Sequence, residues 1–189
     1  MSAISRSSLV SPRSETDGRS AFSEQEHRLN KAFISLVAAC AFALPLQASA
    51  QDPVQATADH AQLLSSPDPK LAANKRLVYD FWREVLEAGH LELADKYLVD
   101  SYIQHNPTVP SGREGFVKFF SRFSKVKPIA ASIKAPLVTI MAEGDLVMLG
   151  FVREYPDPAA AGQKYTTTWF DMFRIRDGKI VEHWDPARK

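Results

Sequence analysis

The stretch from Thr166 to Asp185 constrains this chain more than any other. Thr166-Thr167-Thr168-Trp169-Phe170-Asp171-Met172-Phe173-Arg174-Ile175-Arg176 runs into Asp177-Gly178, then into Lys179-Ile180-Val181-Glu182-His183-Trp184-Asp185. Threonine, aromatic and β-branched residues suit a pleated surface, and Asp-Gly is a strong hairpin signal. The pattern predicts two antiparallel strands and a tight turn. Alternation puts Tyr165, Thr167, Trp169, Asp171, Phe173 and Ile175 on one face of the first strand. That face is aromatic and aliphatic apart from Thr167 and one carboxylate. Burial disfavours the charge of such an acid, which suits Asp171 to proton transfer near neutral pH.

The turn decides what joins Asp171. A two-residue Asp177-Gly178 loop places Ile180, Glu182 and Trp184 beside it. A three-residue loop, Arg176-Asp177-Gly178, with the glycine left-handed in a bulge, places Val181, His183 and Asp185 there. The second register gathers two carboxylates and an imidazole on one surface and is the one favoured here. The alternative is an ordinary hairpin with Asp171 and Asp185 as edge-exposed acids.

Upstream, Asp68-Pro69 supplies an N-cap and a proline at the first helical position. Leu71, Leu77, Val78, Phe81, Trp82, Val85 and Leu86 then recur at helical spacing until Gly89. A short helix over Leu91 to Leu98 follows, then a strand over Ser101 to Asn106 that ends at Pro107. In that strand Tyr102, Gln104 and Asn106 share one face, with Ile103 and His105 on the other. So many hydrogen-bonding groups in a row are unusual for a strand that only fills a core, although a surface strand entering a turn would also accommodate them. A third helix is expected over Gly112 to Val126, its phenylalanines filling a core or flooring a cavity. Strands are expected at Ile133 to Ala142, Asp145 to Tyr155, Lys164 to Arg176 and Lys179 to Asp185. Pro156 to Gly162 reads as a loop and a candidate lid. Three helices with one threaded strand, then an antiparallel meander, define an α+β fold with a curved sheet over a helical layer.

Of 189 residues, the first 50 carry five basic and four acidic ones, and their removal leaves 18 of each. That balance points away from nucleic acid. Residues 28–50 have the form of a secretory signal. Arg28 and Lys31 precede an apolar run from Ala32 to Leu46, and Ala48-Ser49-Ala50 offers a cleavage site before Gln51. The run is too short to span a membrane, which takes about 20 apolar residues. Val37-Ala38-Ala39-Cys40 also resembles a lipobox, which would make Cys40 a lipid-bearing N-terminus. The apolar run continues past Cys40, which favours cleavage after Ala50 and a periplasmic or secreted domain without cysteine. Translation from Leu29 would give the signal an ordinary shape. The domain division is thus 1–50 as extension and signal, 51–67 as a flexible lead-in in which Leu63-Leu64 can dock on the domain, and 68–189 as the folded domain. No Gly-rich phosphate loop, Gly-x-Ser-x-Gly or His-x-x-x-His pair occurs, so no dedicated metal or cofactor site is expected.

Three segments carry a resemblance to a known family. These are Asn74-Lys75-Arg76-Leu77-Val78-Tyr79-Asp80-Phe81, Tyr102-x-Gln104-His105-Asn106-Pro107, and Phe170-Asp171-x-Phe173-Arg174 continuing through Asp177-Gly178-Lys179-Ile180 to Glu182-His183-Trp184-Asp185. They resemble the SnoaL-like polyketide cyclases, within the nuclear-transport-factor-2-like superfamily. The resemblance implies a cone-shaped α+β barrel with a pocket at its open end, frequent homodimerisation through the outer sheet face, and chemistry without cofactor or metal. In SnoaL an acid/base aspartate drives an intramolecular aldol closure, and Asp185 matches that aspartate best, with Asp171 at another polar pocket position. Limonene epoxide hydrolase, also of this superfamily, uses an Arg-x-Asp pair, and Trp169 stands where that arginine would be. The chain also departs from the family by placing Pro186 directly after His-Trp-Asp. The resulting expectation is a lyase or isomerase, an aldol-type cyclase, acting on a small apolar carbonyl compound. Asp185, Asp171 and His105 are its catalytic candidates. Tyr102, Gln104, Asn106, Trp169, Phe173, His183 and Trp184 are its substrate-binding candidates. The alternatives are a carrier of a lipophilic molecule or a dimeric interaction module.

Overall fold

A computed structural model describes residues 52–189. The signal sequence, Cys40 and the start at Leu29 lie outside the described residues. No helix among the described residues is long and apolar enough to cross a membrane.

The predicted first helix is present, with the cap that the sequence implies. Asp68 accepts hydrogen bonds from the Lys70 and Leu71 amides, and Pro69 opens α2, Pro69–Phe81. The helix does not end there. It widens into a π-helical stretch, Trp82–Glu87, before Gly89 turns the chain at φ 77°. The segment predicted as one short helix is a 3₁₀ turn, Leu91–Leu93, joined to α3, Ala94–Tyr97. Strand β1 begins earlier than expected and covers Leu98–Gln104, and α4 is shorter than expected, Arg113–Phe120. Four strands follow: β2 Leu137–Glu143, β3 Leu146–Pro156, β4 Lys164–Arg176 and β5 Lys179–Trp184.

They form one sheet in the order β1-β5-β4-β3-β2, antiparallel except for the parallel β1–β5 pair. Irregularities in β1, at the start of β2 and in β5 interrupt the ladders, and such interruptions bend and twist a sheet. The helices cover one face. Phe81 meets Tyr97, Phe116 and Phe173, while Val147, Leu149, Phe151 and Ile180 are buried from the sheet side. This is the expected α+β fold, consistent with a cone of helices and curved sheet.

The segment assigned as a flexible lead-in is instead docked. His60–Leu64 forms helix α1, with Leu64 buried. The Thr57 amide donates to the Leu137 carbonyl at 2.7 Å, Thr57 Oγ1 donates to the Val138 carbonyl at 2.8 Å, and the Val54 amide donates to Thr166 Oγ1 at 2.7 Å. Backbone groups at the start of β2, an edge strand, need partners, and this segment supplies them.

The register of the β4–β5 hairpin corrects one expectation while keeping its outcome. Arg176 pairs with Lys179, so the loop is the two-residue Asp177-Gly178, not the three-residue one. Both residues have positive φ, 51° and 72°, as a type I′ turn demands. The slip comes afterwards: Ile175 pairs with Ile180 but Arg174 pairs with Glu182, leaving Val181 as the extra residue of a bulge. Ile180 therefore lies on the inner face before the bulge, and His183 and Asp185 lie there after it.

Candidate active site

Strand alternation delivers the polar side chains to one place. Tyr102, Gln104 and Asn106 come from β1 and the residues after it, Asp171 and Phe173 from β4, and His183 and Asp185 from the end of β5. All seven line one cavity of about 410 Å³. Opposite them stand Phe81, Trp82, Phe116, Phe120 and Phe123, so a polar floor meets an aromatic wall.

A chain of hydrogen bonds fixes the floor. The Asn106 amide donates to Gln104 Oε1 at 2.9 Å, which identifies that atom as the carbonyl oxygen, since a backbone amide can only donate. His183 Nδ1, 2.7 Å from the same oxygen, is therefore the donor. Gln104 Nε2 donates to Tyr102 Oη at 3.1 Å. His183 Nε2 then faces Asp171 Oδ1 at 3.1 Å, and a single proton is shared between them. Asp171 and His183 are both buried, at 5% and 6% exposure, yet Asp171 Oδ2 has no hydrogen-bond partner. An unpaired carboxylate oxygen in a buried site is uncommon and costly. Asp185 is better supplied: Oδ2 accepts from Asn106 Nδ2 at 2.7 Å and Oδ1 from the Ala187 amide at 2.9 Å.

Burial, followed by the charges of Asp171 and Asp185, pushes the Tyr102 hydroxyl far above the ordinary phenol range. It remains protonated. Its oxygen accepts from Gln104, which leaves its own hydrogen free to donate into the cavity.

Three expected site residues lie elsewhere. His105 points to the outer face because Gln104 and Asn106 point in. There it stacks on Trp184 with centroids 5.0 Å apart, and its Nε2 pairs with Glu182 Oε1 at 2.8 Å. Trp184 follows the same rule between His183 and Asp185, with Arg174 over its ring. Neither residue lines the cavity. Trp169 shares the strand face of Asp171 but falls beyond the cavity, where Arg153 lies over its indole. The Pro156 to Gly162 loop, a candidate lid from sequence, also contributes nothing to the lining. Leu86, Glu87 and Gly89 from one stretch, and Phe123, Ser124, Lys125 and Lys127 from another, complete the lining instead. The Lys127 amide donates to the Ala88 carbonyl at 2.9 Å, and His90 Nε2 lies 2.9 Å from the Lys127 carbonyl. Gly89 packs so closely that a Cβ there would lie 2.6 Å from the Lys125 carbonyl oxygen. No local pattern near Gly89 or Lys125 announces this meeting, since the two are far apart in sequence.

A concave, largely apolar cavity with a few convergent polar groups is the usual form of a small-molecule site, and here an Asp–His pair lies among the lining residues. The chain belongs to the SnoaL-like domain family, whose sequence model matches residues 78–183. Among solved structures it is similar to TsrD from Streptomyces laurentii, at 23% identity and TM-score 0.41, over 64% of this chain and 90% of that one. It is also similar to a limonene-epoxide-hydrolase-like epoxide hydrolase from M. tuberculosis, at 16% identity and TM-score 0.44, over 62% and 84%. A candidate SnoaL-like polyketide cyclase from Jannaschia sp. CCS1 shows 16% identity and TM-score 0.45, over 65% and 91%. No curated protein matches the chain.

Proposed function

We propose that this protein is a cofactor-independent acid/base enzyme, an aldol-type cyclase or isomerase acting on a small, largely apolar carbonyl compound. The observation that carries the reading is Asp171, which lines the cavity and whose Oδ2 is buried without a donor while Oδ1 is braced by His183. Oδ2 takes the proton from the carbon next to the carbonyl. The C–H electron pair becomes the enolate double bond, and the displaced pair moves to oxygen, where the Tyr102 hydroxyl donates a hydrogen bond. The enolate carbon attacks a second carbonyl of the same molecule, and Asp171 returns the proton to the new alkoxide. The resemblance ranks Asp185 first as base. The hydrogen bonds to both its oxygens support a secondary, substrate-orienting role instead, with Asp171 as base.

Turnover of a panel of small diketones tests this, with Asp171→Asn, Asp185→Asn and Tyr102→Phe compared to wild type. Asp171→Asn should lower kcat by about 10²–10⁴-fold. Tyr102→Phe should lower it by about 10²–10³-fold, the usual cost of a lost oxyanion donor. An Asp171→Asn variant that folds and turns over normally would move the base to Asp185. The aromatic wall supports a second reading, a carrier of an apolar molecule. Tight binding of an apolar ligand with no turnover by any variant would favour it.

We further propose that the domain works in the periplasm or outside the cell after cleavage behind Ala50, and that it pairs with itself. The cleavage pattern supports the first part, and the exposed outer-face hydrophobics Phe170 and Met141 support the second. Intact mass of the exported protein should give Gln51 as N-terminus, and its sedimentation should give a dimer. A lipid-modified Cys40 or a monomer would overturn the respective part.

A further inference from the structure

The groups on the cavity floor are also a metal donor set. His183 Nε2 and one carboxylate oxygen each from Asp171 and Asp185 lie within 4.8 Å of one another. Acidic clusters are common without ions, but two further features distinguish this one. Asp171 is buried, and its Oδ2 has no partner, so the cluster holds a lone pair that nothing else in the fold satisfies. In addition, the imidazole is already set as a ligand: Nδ1 donates to Gln104 Oε1, which orients Nε2 toward the two carboxylates. Metal-binding histidines almost always have such a partner on the second nitrogen.

We propose that this floor binds one divalent transition-metal ion, held by His183 Nε2, Asp171 and Asp185. The proton shared between Nε2 and Asp171 Oδ1 leaves to solvent as the ion enters. Asn106 Nδ2 and the Ala187 amide keep Asp185 in place, because each carboxylate oxygen retains a second lone pair. All three ligand residues line the cavity, so the ion would border it. An imidazole with two carboxylates suits zinc or manganese, whereas magnesium prefers oxygen and water. The ion occupies the same atoms that move protons in the proposed reaction, so it competes with that chemistry and the inference does not depend on it.

Isothermal titration of chelator-treated protein with Zn²⁺ is the test. The expected result is saturable uptake of one ion per chain, undisturbed by an equal concentration of Mg²⁺. Asp185→Asn should weaken uptake by about tenfold or more, and His183→Gln should abolish it. Circular dichroism establishes that each variant is folded; Asp185→Asn is the informative one if His183→Gln is not. His105→Ala removes the exposed His105–Glu182 pair on the outer face and should leave uptake unchanged. No saturable uptake, equal competition by Mg²⁺, or loss in His105→Ala with retention in Asp185→Asn would each overturn the proposal. None of those results would bear on turnover of the diketone panel, which stands or falls separately.

Discussion

Glu84 and Tyr102 answer burial in opposite ways. Burial alone would push the Glu84 carboxyl up, but hydrogen bonds from Tyr97 and Lys96, with the charges of Lys96 and Arg83, outweigh it and hold the group below its usual range. Tyr97 Oη lies 2.5 Å and Lys96 Nζ 3.0 Å from Oε2, while Arg83 Nη2 lies 2.7 Å from Oε1. Tyr102 has no cation nearby to favour its anion, so its proton stays. A depressed carboxyl stabilises the fold above its unfolded value, near 4.3, and that stability is lost as pH falls through the folded value. Glu84→Gln should therefore cost about 1–3 kcal/mol near neutral pH. It should also flatten the loss of stability that wild type shows below about pH 5. Urea unfolding across pH measures both, and parallel pH curves for the two proteins would refute the assignment. The sequence does not mark Glu84. Its partners Lys96 and Tyr97 lie a turn, a glycine and a 3₁₀ segment away, and only their packing shows that the acid is inside.

The β4–β5 hairpin shows how far local pattern reaches. Asp177-Gly178 announced the hairpin, and alternation announced that Asp171 would share a face with Phe173. Which face of β5 met them depended on an irregularity that no dipeptide encodes. The other neighbour of β5 is irregular at the same point: Leu98 opposes Ile180 but Ile103 opposes Glu182, so β1 carries the surplus residues opposite Val181. That is a long-range requirement, invisible in a hairpin considered alone. For the same reason His105 and Trp184 looked suitable by residue type, but alternation turns both outward once Gln104 and His183 face in. The turn itself is testable. Asp177 sits at φ 51°, a region where β-branched residues are strained. Asp177→Val should destabilise by about 1–2 kcal/mol, whereas Asp177→Gly should be neutral or mildly stabilising. Equal unfolding midpoints for both variants would mean that the loop is not the type I′ turn described.

Across the described domain, residues 52–67 are structural rather than connecting. Removing 52–67 exposes Leu64's site, leaves the Leu137 and Val138 carbonyls without their Thr57 partners, and frees Tyr79 Oη from His60. Burial of a leucine contributes about 1.5–3 kcal/mol. A truncation beginning at Asp68 should melt about 5–10 °C lower than one beginning at Gln51. An unchanged melting temperature would make the segment an ornament. Elsewhere, one part of the cavity wall depends on an atom that is missing. Because Gly89 carries no side chain, the backbone at Lys125 can close to within touching distance of it. Both stretches line the cavity, so a side chain at residue 89 would push the backbone at 125 away and reshape that part of the wall. The size of the cavity can therefore change at this contact while Asp171, His183 and Asp185 keep their places on β4 and at the end of β5.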